Sequence, residues 1–164
     1  MEKKIISRRA IVRALIIGGL LCAAFTAWST QYVLVVVSGP SMEPTYVDGQ
    51  KLVVTRVDAA SDIPENNPVC VLYDPDNNMV IKRLIGYPRD TVCLVDGDTF
   101  VNGQELKVNT NQSWDNIQFD VPQDAYLFLG DNRLHSIDSR AWDGTYVSLD
   151  HIIGYIPNSG LEVA

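Results

Sequence analysis

The sequence predicts a mainly β fold, a partly closed barrel of short strands, carried behind one N-terminal transmembrane helix. Three observations predict it. An uncharged apolar run, Ala14 to Trp28, follows a cluster of basic residues. From Val33 onward, short β-branched and aromatic runs alternate with Gly, Pro, Asn and Asp turns. Beyond residue 31 no long stretch carries helical periodicity.

Taking the chain in order, the apolar run by itself is short for a bilayer crossing of about 20 residues. Ala10 to Val12, with Arg13 snorkelling toward the head groups, extends it to an adequate span. Trp28 and Tyr32 stand where interfacial aromatics belong. Lys3, Lys4, Arg8, Arg9 and Arg13 precede or open the run against Glu2 alone, which places the N-terminus inside and the body outside the cytoplasm, in the plasma membrane. The division is therefore a basic cytoplasmic tail (1–13), an anchor (14–31) and an extracytoplasmic domain (32–164). We read a retained anchor rather than a cleaved secretory signal, because Ala24-Phe25-Thr26 matches the small-residue cleavage pattern poorly.

Charge excludes a partner class. The whole chain has 13 basic and 20 acidic residues, and five of the basic ones but only one acidic residue lie in the first 13 positions. The remainder is strongly acidic, which argues against a nucleic-acid backbone as partner. Neither His135 nor His151 belongs to a cluster with metal-site spacing. Cys22 lies in the anchor; Cys70 and Cys93 sit in apolar runs and read as two small core residues. Export permits a bridge between them, although the sequence does not show that they meet.

In the body, Tyr32–Val37 reads as one strand and Lys51–Val57 as the next after Asp48-Gly49, and 59–68 is a polar loop with two prolines. Pro68–Tyr73 and Met79–Gly86 read as antiparallel partners across the turn Asp74-Pro75-Asp76-Asn77-Asn78. Thr91–Val95 and Thr99–Val101 flank a hairpin signal, Asp96-Gly97-Asp98, and Asn102-Gly103 marks a further turn. Leu106–Pro122 is weakly patterned, and Ala125–Leu129 and His151–Ile156 close the set. Ile152-Ile153 reads equally as core or as a patch touching the membrane.

Chemistry enters at three places. Ser41 follows the first strand inside Ser38-Gly39-Pro40-Ser41-Met42-Glu43-Pro44-Thr45, where two prolines fix the backbone direction, as a nucleophile requires. An ordinary turn with a capping serine is the plain alternative. Strand alternation sets Lys82 between Val80 and Leu84 on one face, with Ile81, Arg83 and Ile85 on the other. If that face is buried, desolvation lowers the lysine pKa, and a neutral amine can take the proton of a serine. The alternative is a pair of solvent-facing charges on an edge strand. Finally, Gly130 to Arg140 leaves a strand with two Asp, two Arg and two Ser, either a solvated turn or a network that orients a base.

Together the three blocks resemble bacterial type I signal peptidases (leader peptidases), membrane-anchored serine proteases with a Ser-Lys dyad, in their shorter Gram-positive form. Ser41-Met42-Glu43-Pro44-Thr45 resembles the nucleophile box, Lys82-Arg83-Leu84-Ile85-Gly86-Tyr87-Pro88 the general-base box, and Gly130 to Arg140 the third box, in family order. The resemblance implies a barrel-type catalytic domain like that of signal peptidases and LexA-type repressors, with Ser41 as nucleophile and Lys82 as base. It implies Ser136 as the hydroxyl that orients the lysine, Asp138 with Arg140 as a supporting ion pair and Asp131 with Arg83 as a second. The Ser41 N–H would be one oxyanion donor; Gly39 stands where some members carry a hydroxyl, with Ser38 as its substitute. Val35, Val37, Met42, Val80 and Ile81 would line shallow pockets for small side chains in an extended substrate, the Ala-x-Ala pattern. Two departures stand out: His135 where asparagine is usual, and Arg89 where glycine usually precedes Asp90.

The implied activity is removal of signal peptides from exported preproteins by a monomer at the lipid surface, without metal or organic cofactor. A specialised relative that processes pilins or conjugation proteins would share every box. A non-catalytic anchored β-domain that binds exported chains would need Ser41 and Lys82 absent or apart. A LexA-type repressor needs a soluble chain with a DNA-binding module, and residues 1–31 read as an anchor instead.

Overall fold

The computed structural model describes residues 8–108 and 116–161. Glu2, Lys3 and Lys4, the side chain of Trp28, and residues 109–115 of the weakly patterned stretch lie outside the described residues. The chain divides into two compact units, 1–32 and 33–164.

The first unit is helix α1, Arg8–Gln31. It starts ahead of the apolar run because Arg and Ala are good helix formers and need no burial to continue a helix. Ile11–Gln31 is long and apolar enough to cross a membrane.

The second unit is antiparallel β. Seven strands form one sheet: β1 (Tyr32–Val36), β2 (Lys51–Arg56), β3 (Val69–Tyr73), β4 (Met79–Gly86), β9 (Ala125–Leu129), β10 (Val147–Ser148) and β11 (Ile152–Tyr155), in the order β1-β2-β11-β3-β4-β9-β10. Four others, β5 (Thr91–Val95), β6 (Asp98–Val101), β7 (Gln104–Glu105) and β8 (Ile117–Asp120), form a second sheet in the order β7-β6-β5-β8. The expected β3–β4 hairpin forms with Cys70 opposite Lys82, and the Asp74 carboxylate caps its turn by accepting from the Asp76 and Asn78 amides at 3.0 and 2.8 Å. The β5–β6 turn is tighter than expected: Asp96 and Gly97 alone make it, with φ of 51° and 95°, so Asp98 already belongs to β6.

β8 lies inside the stretch that read as weak, because Phe119 is its only buried side chain. β7 and β10, of two residues each, are too short to leave a pattern.

Three apolar clusters make the core. Val35, Val37, Met42, Val54, Val69 and Val71 belong to the first, and Leu72, Leu84, Phe128 and Ile152 to the second. The third joins Ile85, Leu127 and Leu129 of the large sheet to Val92, Leu94 and Phe119 of the small one. The Ile152-Ile153 pair belongs to this packing: Ile152 is buried and Ile153 packs against the first cluster. Cys70 and Cys93 are both free thiols, and burial pushes the Cys70 thiol up.

Candidate active site

β1 delivers the chain to Ser41 through a loop held at several points. Val37 N–H donates to Gln50 C=O at 2.9 Å and Gly49 N–H to Val37 C=O at 2.9 Å, which closes the loop at its base. Gly39 N–H donates to the Asp48 carboxylate at 2.8 Å, so that amide is engaged and does not face a reacting carbonyl. Met42, 1% exposed, sinks into the first cluster and pins the residue after Ser41.

β4 delivers Lys82. It lies between β3 and β9, so Lys82 and Arg83 sit on an interior strand, buried on both faces, and not on a solvent-facing edge. Lys82 Nζ lies 2.8 Å from Ser41 Oγ, closing a gap of 41 residues in sequence. Burial is the main effect on the amine and lowers its pKa to about 8. The carboxylates of Asp138, Asp74 and Asp131 oppose that shift, and the Arg140 guanidinium adds to it.

The loop after β9 braces both residues. Arg83 forks onto Asp131 through Nε and Nη2, at 2.8 and 2.7 Å, and its Nη1 donates to the Asn67 and Ser159 carbonyls at 2.9 and 2.7 Å. Thr45 Oγ1 donates to the same Asp131 carboxylate, which ties the serine loop to the ion pair. Arg140 forks onto Asp138 at 2.8 and 3.0 Å, and Asp138 Oδ2 accepts from Gly130 N–H at 2.9 Å. These are the two ion pairs that the resemblance implied, each with a buried carboxylate.

Ser136 differs. The hydrogen bond expected from its hydroxyl to Lys82 is not formed; Ser136 Oγ is buried and makes no hydrogen bond. The side chain is turned onto Gly130, with Oγ 2.2 Å from where a Cβ on that glycine would stand.

Two contributors were not singled out from sequence. Asn132 donates its backbone N–H to Ser41 C=O and its Nδ2 to Pro40 C=O, both at 3.0 Å. Gly130, having no side chain, leaves room for Ser136 and the Ser41 carbonyl to approach its own backbone. Both lie inside the third sequence block, whose density of polar residues was the available signal.

A cleft of about 110 Å³ opens beside the pair. Val35, Val37, Met42, Val80 and Ile81 line it together with Ser38, Val36, Val71 and Met79. A buried amine against a hydroxyl, beside an apolar cleft, can activate that hydroxyl toward a carbonyl of an extended chain.

Residues 8–158 match the family described as "Signal peptidase, peptidase S26". The chain belongs to that family. Its members are serine endopeptidases that remove signal peptides. The chain is 35% identical over 126 residues to a "Signal peptidase I" of Leptolyngbya laminosa, covering 70% of this chain and 61% of that one. It is 33% identical over 129 residues to "Signal peptidase I P" of Bacillus subtilis subsp. natto, covering 70% and 69%. A crystal structure of a signal peptidase I from Enterococcus faecalis V583 superposes with a TM-score of 0.50 at 26% identity, covering 57% of this chain and 96% of that one.

Proposed function

We propose that this chain removes signal peptides from exported preproteins with Ser41 as nucleophile and Lys82 as general base. The observation that carries the proposal is the 2.8 Å approach of a buried amine to a hydroxyl, both lining a cleft walled by Val, Ile and Met. Neutral Lys82 accepts the Ser41 proton as Oγ attacks the scissile carbonyl, and passes it to the departing amine. The acyl-enzyme is then hydrolysed by water that gives its proton to Lys82, which returns it to Ser41 Oγ as the acyl bond breaks. Ser41 N–H, with Ser38 of the cleft lining, stabilises the oxyanion. Asp138–Arg140 and Arg83–Asp131 hold the loop that carries Ser136, whose hydroxyl would have to leave its packing against Gly130 to orient the amine. The substrate lies extended along 35–37 and 80–81, and the shallow apolar walls admit small side chains, the Ala-x-Ala pattern. A single chain supplies every residue of the site, so a monomer suffices. Residues 1–13 stay in the cytoplasm, 14–31 anchor the chain in the plasma membrane, and 32–164 act on its outer face.

The test is cleavage in detergent of a preprotein bearing an Ala-x-Ala site, beside Ser41→Ala and Lys82→Met, with the new N-terminus read directly. The parent cuts after the second alanine and both variants are inert. Cutting by Lys82→Met would show that the base is misassigned.

A further inference from the structure

We propose that Asn132 is a positioning residue that aims the Ser41 N–H at the oxyanion, and that His135 sets the orientation of the Asn132 amide. The inference rests on Ser41 being the nucleophile. Its starting point is the Pro40–Ser41 peptide. A trans peptide is planar, with C=O and N–H pointing in opposite directions, so whatever holds the Pro40 carbonyl fixes the line along which Ser41 N–H points. Two donors hold that carbonyl: Glu43 N–H, from the same turn, at 3.1 Å, and Asn132 Nδ2, from 92 residues away, at 3.0 Å. Asn132 also donates its own backbone N–H to the Ser41 carbonyl. One residue thereby grips the carbonyls on both sides of Ser41 N–H from the loop after β9. A donor on the carbonyl oxygen further polarises the peptide and strengthens its N–H as a donor.

An asparagine amide can be turned over, exchanging its donor for its acceptor. His135 Nδ1 lies 3.1 Å from Asn132 Oδ1. With the proton on Nδ1 the ring donates to Oδ1, and Nδ2 is left to face Pro40. This gives a role to the histidine that stands where asparagine is usual, since an asparagine there also carries an N–H donor.

The experiment uses the full chain in detergent and a peptide with an Ala-x-Ala site. Steady-state kinetics are read for the parent, Ser41→Ala, Asn132→Ala, His135→Ala and His135→Asn, with folding followed by circular dichroism. Binding of a peptide aldehyde, which forms a tetrahedral adduct with a serine, is measured alongside. Asn132→Ala keeps its backbone N–H and loses the Nδ2 grip on Pro40 together with the Oδ1 contact to His135. Its expected signature is a kcat about tenfold or more below the parent, an unchanged KM, and a matching loss of aldehyde affinity, because the aimed donor acts on the tetrahedral species. His135 is exposed, so its variants fold. His135→Ala lowers kcat several-fold and His135→Asn restores it. If the parent cleaves, Ser41→Ala is inert and Asn132→Ala keeps its kcat within about twofold, the inference is overturned while the nucleophile stands. A drop in unfolding midpoint alone, with kcat and aldehyde affinity intact, overturns it equally. Should Asn132→Ala fail to fold, the His135 pair decides: loss with rescue supports the inference, and unchanged kcat overturns it. A parent that does not cleave is instead the failure of the proposed function.

Discussion

Replacing Gly130 by alanine adds one methyl group at the centre of the site. A Cβ there would stand 2.2 Å from Ser136 Oγ, 2.5 Å from Ser136 Cβ and 2.6 Å from the Ser41 carbonyl oxygen. Ordinary carbon contacts begin at about 3.5 Å, so each neighbour must retreat by about 1 Å. Ser136 Oγ can rotate away, but Ser136 Cβ and the Ser41 carbonyl move only with their backbones. The Ser41 carbonyl is also the acceptor for Asn132 N–H, so pushing it displaces the nucleophile and one of its supports together. Overpacking of this kind costs about 1–3 kcal/mol of stability. A shift of about 1 Å at the reacting group costs about a hundredfold in rate. We expect Gly130→Ala to lose about that much kcat/KM on an Ala-x-Ala peptide, with an unfolding midpoint lowered by a few degrees. Gly144→Ala is the control, since its nearest neighbour, Pro75 Cγ, lies at 3.4 Å, and it leaves both quantities unchanged. A Gly130→Ala enzyme within about threefold of the parent at an unchanged midpoint would refute the reasoning.

Further expectations follow from the same structure. Arg83→Met leaves Asp131, 1% exposed, without its bidentate partner and should cost about 3–5 kcal/mol in denaturant unfolding; a loss under about 1 kcal/mol would contradict the assigned role of the pair. Arg89 adopts φ of 74°, where a side chain is disfavoured, so Arg89→Gly should raise stability by about 0.5–1 kcal/mol despite losing the exposed contact to Gln123, and a lowered thermal midpoint would count against it. Lys82 has a folded pKa of about 8, below its ordinary 10.5, so between those values the unfolded chain binds more protons and stability rises with pH. Relative to Lys82→Met, the parent should therefore gain up to about 3 kcal/mol between pH 8 and 10.5, with the burial cost fully present below pH 8. A difference that stays flat across that window would mean the amine is not desolvated in the folded chain.

Much of this was legible in the sequence because its signals are local. Asp74 to Asn78 and Asp96-Gly97 are turn chemistry, and they set the β3–β4 and β5–β6 hairpins. The Arg89 departure was visible as a residue in place of glycine, and its left-handed backbone shows why glycine is usual there. What stayed hidden depends on distant segments meeting. Alternation along β4 put Lys82 among apolar neighbours but could not show that Arg83, on the opposite face, is buried too; that follows from Asp131, Asn67 and Ser159, brought to its guanidinium by distant segments. The grip of Asn132 on Pro40 joins loops 92 residues apart and leaves no periodic trace. The direction of the Ser136 hydroxyl is set by packing against Gly130, which no residue-type argument contains.

Whether a desolvated lysine activates Ser41 is decided by the pH dependence of kcat/KM on a peptide whose own groups do not titrate. The rate should rise tenfold per pH unit at low pH and level near pH 8, where Lys82 becomes neutral. An inflection near pH 6.5, the ordinary range of histidine, or a profile flat through pH 8, would contradict it.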